Sequence, residues 1–529
     1  MNIILTGMMG VGKTTIGKRL AQKLDLEFLD LDDYIQKKTH LTIPQIFSEH
    51  GEPYFRRIEK KFCNQIAQKN NAVISTGGKT LLDKENLNSL SSSGIIITLL
   101  SSPDKILLRI KGGASKRPLL NSPPAESLYK IYRQRKHHYL NLPNKIDTTS
   151  LHEKEVVDEI VKLIKGESKR YEMDIREKKS SVIIKTGLSQ AVCSYLKDIV
   201  QEKRVFILSD KNVFGVHGKT LLKELERACL KYSVFLLCPG ESQKNLKTAE
   251  KVYSWLLKDK ASRSSLLISF GGGVVSDVGG YVASTFHRGI NLVNIPTTLL
   301  AQIDASIGGK NGINLNQAKN QIGTFYAPSL VMIDPLFLVS LDPRHMKEGT
   351  IEAIKAGVIA DRVLFETIKK NARQILLKDM KSLEEVINRA IQVKLDIVNQ
   401  DPYEKGKRKI LNLGHTFGHA LESYFNYEKI THGQAVGLGM ICAGKMARLM
   451  KVSKEDLLSE IKEILHQWQM PLHLKNLDIS KILSLMEYDK KRKEDSLSFV
   501  IPKRIGEAVT VKNVSKNIIH NSLMEISHG

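Results

Sequence analysis

The sequence predicts an α/β protein of three domains: a parallel-sheet domain, a second α/β domain and a helical domain. Three observations lead there. Short apolar runs alternate with amphipathic helical patterns through the first 165 residues, which is the signature of a parallel sheet with crossover helices. A polar stretch at 166–177 interrupts the pattern, and a second strand–helix series then runs to about residue 335. From Met346 onward the apolar spacing is mostly that of helices. The length of 529 residues accommodates three to four domains of ordinary size.

In order, residues 2–6 (Asn2 to Thr6) predict a strand, and Ile16, Leu20 and Leu24 place one apolar face on a helix over 14–24. Residues 72–75 and Gly94-Ile95-Ile96-Ile97-Thr98-Leu99-Leu100 predict buried strands. That run is far short of the ~18 apolar residues a membrane span requires. Val156, Ile160, Val161 and Ile164 predict a closing amphipathic helix. Residues 166–177 are expected to be a linker. Strands are expected over 181–184, 205–208 and 266–270, and a helix through Ile387, Ile391, Leu395 and Val398. The domain limits expected are 1–165, 178–335 and 336–529, the last all-helical.

Composition narrows the function classes. With 42% hydrophobic residues the chain is globular rather than disordered. Its 80 Lys+Arg against 56 Asp+Glu give a net charge of +24, spread along the chain rather than gathered in a tail. Dispersed charge favours small anionic substrates over nucleic acid. The five cysteines, Cys63, Cys193, Cys229, Cys238 and Cys442, show no CxxC spacing, so neither a disulfide framework nor a thiolate zinc site is suggested. No charged region precedes the first apolar run, so a cytoplasmic location without a signal peptide or membrane span is expected.

Gly7-Met8-Met9-Gly10-Val11-Gly12-Lys13-Thr14 fits GxxxxGK[ST], after a strand and before a helix. Gly10, Val11, Gly12, Lys13, Thr14 and Thr15 would wrap the phosphates of ATP. Lys13 would reach the β/γ-phosphates and the Thr14 hydroxyl would bind Mg²⁺. Asp30 and Asp32 lie two apart at a strand end, one near Mg²⁺ through water, the other near a hydroxyl acceptor. Arg56, within Phe55-Arg56-Arg57-Ile58-Glu59, could clamp a carboxylate. These segments, with Gly77-Gly78, Arg117-Pro118-Leu119-Leu120 and Arg135-Lys136-His137-His138-Tyr139, resemble shikimate kinase over about residues 1–165. The resemblance implies that Asp32, Arg56, Gly78 and Arg135 hold shikimate and that Arg117 folds over ATP. It further implies that Asp32 takes the hydroxyl proton as 3-phosphoshikimate forms. Lys79 stands where that family has the third glycine of a triplet.

A second constellation lies downstream. Gly271-Gly272-Gly273 ends a strand, which permits close approach of a pyrophosphate but equally makes a plain turn. His415 and His419 are spaced i, i+4 on one helix face; with His432 and Glu352 they offer a candidate metal site with an open position. Spacing leaves open whether His419 is a ligand or an acid/base. Residues 178–515 resemble 3-dehydroquinate synthase through Pro239-Gly240-Glu241-Ser242-Gln243-Lys244, Pro296-Thr297-Thr298-Leu299-Leu300-Ala301-Gln302, Asp304-Ala305-Ser306-Ile307-Gly308-Gly309-Lys310, Lys319-Asn320 and Leu411-Asn412-Leu413-Gly414-His415-Thr416.

That resemblance implies an NAD⁺-binding α/β half and a helical half in which Glu352, His415 and His432 bind Zn²⁺, with Co²⁺ an alternative. NAD⁺ contacts fall on Pro239, Gly240, Glu241, Ser242, Gln243, Lys244, Gly273, Val274, Val275, Ser276, Asp277, Thr297, Thr298, Lys310, Lys319, Phe337, Leu338, Val339 and Ser340. Substrate contacts fall on Asp304, Lys310, Asn320, Lys355, Lys394, Arg408, Asn412 and His419. Arg288 is expected to reach a neighbouring subunit's substrate, as a homodimer through the synthase part would allow, and Lys490 or Lys491 a phosphate. Lys310, Lys355 and His419 are the catalytic candidates. Ser276 and Gln434 stand where the family has Gly and Glu.

The expected function is bifunctional: shikimate phosphorylation, and conversion of 3-deoxy-D-arabino-heptulosonate 7-phosphate to 3-dehydroquinate with phosphate release. Two alternatives compete, a nucleic-acid-associated NTPase and a kinase fused to an NAD- and metal-dependent polyol dehydrogenase.

Overall fold

The computed structural model describes residues 1–110, 124–175, 178–202, 204–315, 318–453, 455–492 and 497–527. The chain divides into two compact units. The first comprises Met1–Gly166 with Leu338–Asp342 and Arg373–Leu383; the second comprises Glu167–Phe337, Pro343–Ala372 and Glu384–Gly529.

In the first unit, β1 (Asn2–Gly7), β2 (Glu27–Asp30), β3 (Ala72–Ser75), β4 (Gly94–Leu100) and β5 (Lys145–Asp147) form one sheet in the order β2-β3-β1-β4-β5. Every pairing is parallel. β1 and β3 are buried throughout, because helices cover both faces of a parallel sheet. The order reverses at β1, and crevices outside the carboxyl ends of strands at such a reversal are where α/β sheets take ligands. The helix Lys13–Leu24 buries Ile16, Gly17, Leu20 and Ala21, and Glu153–Lys165 buries Val156, Val157, Ile160 and Ile164, matching the expected faces.

The second unit carries a seven-stranded sheet. Its strands are β6 (Lys169–Ile175), β7 (Lys178–Ile184), β8 (Arg204–Asp210), β9 (Lys231–Leu237), β10 (Leu266–Gly271), β11 (Asn291–Pro296) and, after the hairpin β12 (Lys310–Leu315) and β13 (Ala318–Phe325), β14 (Leu330–Ile333). The order is β6-β7-β14-β11-β10-β8-β9, parallel except for β6 against β7. β6 corrects the linker expected at 166–177. Met173 and Ile175 are buried while Arg170, Glu172 and Asp174 are exposed. This period-2 alternation marks a strand with one wet face despite a polar composition.

The helical expectation holds for Pro343–Ala360, Met380–Gln400, His415–Tyr424, His432–Leu449 and Leu457–Gln467. The part is not all-helical, however. An antiparallel pair, β15 (Ser498–Arg504) and β16 (Glu507–Lys512), turns at Gly506, whose φ of +89° suits glycine. Phe499, Val500 and Ile501 are buried in it. Among the described residues no helix is long and apolar enough to cross a membrane.

Candidate functional site

The first unit brings its candidate residues to the carboxyl edge of the sheet. β1 runs into a loop in which Gly7, Gly10 and Gly12 have φ of +138°, +80° and +100°. A Cβ at Gly7 would lie 2.2 Å from the Leu99 carbonyl oxygen, so both torsion and space require glycine there. Val11 is buried under the loop, while Thr14 and Thr15 are exposed at the first turn of the following helix. Lys13 Nζ donates to the carbonyls of Gly7 and Met8 at 2.9 and 3.1 Å. The Thr14 hydroxyl donates to Asp30 Oδ2 at 2.9 Å, so the two expected Mg²⁺ partners adjoin.

Asp32 sits beside this pair, its backbone N–H bonded to Asp30 Oδ1 at 3.1 Å. Burial, followed by the charges of Asp30 and Glu59, pushes its carboxyl up to about 6. A Cβ at Gly77 would lie 3.3 Å from Asp32 Oδ1, and the Tyr139 hydroxyl donates to the Gly78 carbonyl. Arg56 is held by Glu59 at 2.7 Å and Glu52 at 3.2 Å. A buried nitrogen of Arg135, Nη1, has no hydrogen-bond partner, as an anion-binding guanidinium without its anion would.

Lys79 takes ordinary right-handed torsions, φ −113° and ψ −7°, so its position does not require glycine. Its ammonium pairs with Glu52 Oε1 at 2.8 Å. Glu52 and Glu59 had no assigned role in the sequence, although both lie one helical turn from Arg56. Arg117 lies outside the described residues.

The second unit assembles the other constellation. The helix Pro343–Ala360 supplies Glu352 and Lys355, His415–Tyr424 supplies His415 and His419, and His432–Leu449 opens with His432. Glu352, His415 and His432 form the one metal-type group among the described residues, their ligand atoms all within 4.8 Å of one another. Glu352 Oε1 is 3.7 Å from His415 Nε2 and 3.6 Å from His432 Nε2. Those separations exceed good hydrogen bonds, but they approach the ~3.3 Å between ligand atoms that each sit about 2.0 Å from a tetrahedral zinc.

Each Nδ1 faces an acceptor, Leu413 O at 3.2 Å for His415 and Glu422 Oε1 at 3.5 Å for His432, so each Nε2 is turned to the shared point. Burial, then the Lys355 charge, lowers His415 to about 3. Burial opposes the charge on His432 too, but Glu352 and Glu422 overcome it and raise that imidazole to about 10. His415 is thus a neutral imidazole, whereas His432 holds its Nε2 proton between two carboxylates, a proton that a divalent ion bound by the same three side chains would displace. The His419 ring lies 5.4 Å from that of His415 and outside the triad.

Around the triad, cations and carboxylates interleave. Lys355 pairs with Glu352 at 2.5 Å, Lys394 with Asp304 and Lys310 with Glu404. Asn412 Nδ2 donates to the same Glu404 at 2.7 Å. Arg408 is buried and donates to the Gly308 carbonyl at 2.9 Å. Glu404 and Glu422 are the residues that sequence reasoning missed. Glu422 could have been found: it is seven positions after His415 and so shares its helix face. Glu404 sits at φ +58° in a polar loop with no motif around it.

The dinucleotide candidates partly converge. The glycine loop after β10 abuts the Asp304 segment, a Cβ at Gly273 falling 3.4 Å from Ala305 Cβ. Thr297 N–H bonds Gly271 O at 3.0 Å, and its buried hydroxyl has no partner. Lys244 pairs with Asp277 at 2.5 Å, and Glu241 accepts from Asn314 at 2.9 Å. Pro239, Gly240, Ser242 and Gln243 flank Glu241 and are all exposed or partly so. Val274 and Val275 lie in the first turn after the loop, and Thr298 Oγ1 accepts from Ala301 N–H at 3.2 Å. Asn320 is exposed on β13 at φ +55°.

Ser276 bonds Gly272 O at 3.3 Å. Gln434 accepts from Thr431 N–H at 3.0 Å in a capping box, a task Gln and Glu perform alike.

Phe337 and Arg288 lie elsewhere in the second unit, and Leu338, Val339 and Ser340 are part of the first. Phe337 packs against Phe270, ring centroids 5.5 Å apart. Leu338 and Val339 are also buried, and the Val339 carbonyl accepts from Lys378. These apolar side chains belong to the core, leaving Ser340 as the exposed end of that stretch. Arg288 is exposed in the turn before β11, at the opposite sheet edge from the glycine loop, because the helix Gly273–Thr285 runs back along the sheet. The side chains of Lys490 and Lys491 lie outside the described residues.

Fold and site together define a phosphate-loop small-molecule kinase joined to a dinucleotide- and metal-dependent enzyme. A shikimate kinase family model matches residues 9–165, and the N- and C-terminal models of 3-dehydroquinate synthase match 234–348 and 349–492. A bifunctional shikimate kinase/3-dehydroquinate synthase of Thermotoga maritima is 34% identical over 498 residues, 93% of each chain. The chain belongs to this bifunctional family. A 3-dehydroquinate synthase of Clostridium beijerinckii is 38% identical over 342 residues, 64% of this chain and 97% of its own. Among solved structures, the 2-epi-5-epi-valiolone synthase ValA of Streptomyces hygroscopicus subsp. jinggangensis, with NAD⁺ and Zn²⁺ bound, has a TM-score of 0.62. It is 26% identical and covers 67% of this chain and 98% of its own. A 2-deoxy-scyllo-inosose synthase complexed with carbaglucose-6-phosphate, NAD⁺ and Co²⁺ scores 0.61 at 26% identity, covering 68% and 100%.

Proposed function

We propose that the chain phosphorylates shikimate with ATP and Mg²⁺ and, at its second site, converts 3-deoxy-D-arabino-heptulosonate 7-phosphate to 3-dehydroquinate with NAD⁺ and Zn²⁺ or Co²⁺. In the kinase unit the loop N–H groups and Lys13 cradle the phosphates, and Thr14 and Asp30 hold Mg²⁺. Arg56 and Arg135 grip the acceptor's carboxylate and hydroxyls beside Gly78. Asp32 accepts the hydroxyl proton, its raised pKa suiting it to proton transfer near neutrality.

In the synthase unit Glu352, His415 and His432 hold the metal. When bound, the metal polarises a substrate hydroxyl and NAD⁺ supplies a reversible hydride acceptor. Lys310, Lys355, Lys394, Arg408 and Asn412 bind the anionic substrate, and His419 moves a proton beside the metal ligands. The observation that carries this half is the convergence of Glu352 with both Nε2 atoms beside Lys355. The neighbouring cations Lys355, Lys394 and Arg408 favour a phosphorylated acid over a neutral polyol, and so the synthase over a dehydrogenase.

The enzyme is proposed to work in the cytoplasm as a homodimer, in which Arg288 of a second copy would reach the substrate. The test is two assays on the full chain: shikimate-dependent ADP formation, and phosphate release from the heptulosonate phosphate. ATP consumption indifferent to shikimate refutes the first assignment. Net build-up of reduced nicotinamide without phosphate release refutes the second in favour of a dehydrogenase.

A further inference from the structure

The helix face that carries His415 and His419 ends in a third polar residue, Glu422, two turns beyond His415. Its side chain is buried, 3% exposed, where a carboxylate is costly unless it has partners. It has two, on two other elements. Oε1 lies 3.5 Å from His432 Nδ1 and accepts from Lys319 Nζ, of β13, at 3.0 Å. Lys319 is itself seated 4.2 Å over the Tyr427 ring. The two imidazoles of the triad are therefore held differently: His415 by the backbone carbonyl of Leu413, His432 by a side-chain carboxyl group.

We propose that Glu422 is a positioning residue for the metal centre. It fixes His432 as the Nδ1–H tautomer with Nε2 turned to Glu352 and His415, and Lys319 holds it in place. A carboxylate behind a ligating imidazole raises ligand basicity, and loss of such a partner costs about 10–100-fold in metal affinity. Lys319 thus acts on the metal from a distance, through Glu422. The inference rests on the reading that Glu352, His415 and His432 hold a divalent metal.

The test is an equilibrium competition for Zn²⁺ between a chromophoric chelator and the metal-stripped full-length chain. Glu422→Ala is expected to weaken zinc about 10–100-fold. Glu422→Gln, whose amide oxygen still accepts from Nδ1–H, is expected to fall between it and wild type. Lys319→Met is expected to weaken zinc several-fold, and the Glu422→Ala/Lys319→Met double variant to be no weaker than Glu422→Ala alone. The Co²⁺-loaded visible spectrum, which reports ligand geometry, should shift in Glu422→Ala. Far-UV circular dichroism identifies any variant that fails to fold, and Glu422→Gln, nearly isosteric, then decides. Zinc affinity of Glu422→Gln and Glu422→Ala within twofold of wild type, with an unchanged Co²⁺ spectrum, overturns the proposal. Failure of the wild type to bind zinc, or binding unaffected by His432→Ala, overturns the underlying metal reading instead.

Discussion

Replacing Asp32 by Asn should silence the kinase and stabilise the unit that carries it. The carboxyl is raised from 3.8 to about 6 by burial, then by the neighbouring charges of Asp30 and Glu59. The folded pKa lies above the unfolded one, so the folded state binds the proton more tightly. Stability is then greatest at low pH, falls as pH rises between about 4 and 6, and is constant above. The difference of about two pKa units corresponds to at most ~3 kcal/mol at 1.36 kcal/mol per unit. Because the side chain keeps some solvent contact, about 2 kcal/mol is the expected penalty.

Asp32→Asn removes that penalty and, with it, the proton acceptor, which is worth about 10²–10⁴ in rate. The assays are kcat/KM for shikimate at saturating ATP from pH 5 to 9, and thermal unfolding of both proteins at pH 5 and 8. Wild-type kcat/KM should drop tenfold per pH unit below about 6, and the variant should unfold at higher temperature at pH 8, with roughly half that margin at pH 5. A variant retaining activity within a few-fold, or a wild-type acid limb near pH 4, would refute the reasoning.

Three further outcomes are expected. Lys79→Gly should raise the shikimate KM about 2–5-fold, because Glu52, relieved of Lys79, would then neutralise Arg56 alone; an exposed pair is worth ~1 kcal/mol or less, and adding Glu52→Gln should restore the KM. Metal stripping with a chelator that is then removed should abolish heptulosonate-phosphate turnover, with Zn²⁺ or Co²⁺ restoring it, while kinase activity with added Mg²⁺ is untouched; His432→Ala should mimic the stripped enzyme. Gly280→Ala should destabilise the second unit by about 1–3 kcal/mol in thermal unfolding, since its Cβ would fall 1.8 Å from Asn311 Oδ1 on β12.

What was legible in the sequence was whatever a short local pattern encodes. The phosphate loop needs its glycines, Lys13 and Thr14 within eight positions, so the string alone located it. The helices showed through the spacing of Ile16, Leu20 and Leu24, or of Ile387, Ile391 and Leu395. β6 stayed hidden because its apolar residues, Met173 and Ile175, alternate with charges in a stretch whose composition suggests a linker. Glu404 stayed hidden because what makes it relevant is contact with Lys310 across the fold, and no local rule marks a carboxylate for that, whereas Glu422 was open to helix spacing from His415.

The pairing seen in both sites has one physical origin. Arg56 is held by Glu52 and Glu59, Lys310 by Glu404, Lys355 by Glu352, Lys394 by Asp304 and Lys244 by Asp277. Lys355 and Lys394 are buried in the second unit, where a bare ammonium would be driven to lose its proton. Lys394 is already lowered by its burial, whereas Lys355, though burial opposes it too, is held above its ordinary value by Glu352 and Asp304. Glu352 and Asp304 therefore keep Lys355 charged until an anion arrives. The same pairing sets the terms of binding. An anionic ligand must exchange its own contacts for existing ones, so its affinity is the difference between two sets of ion pairs rather than the sum of one. A doubly charged phosphate together with a carboxylate can win that exchange. A neutral sugar has nothing to offer the lysines, and must leave each of them with the partner it already has.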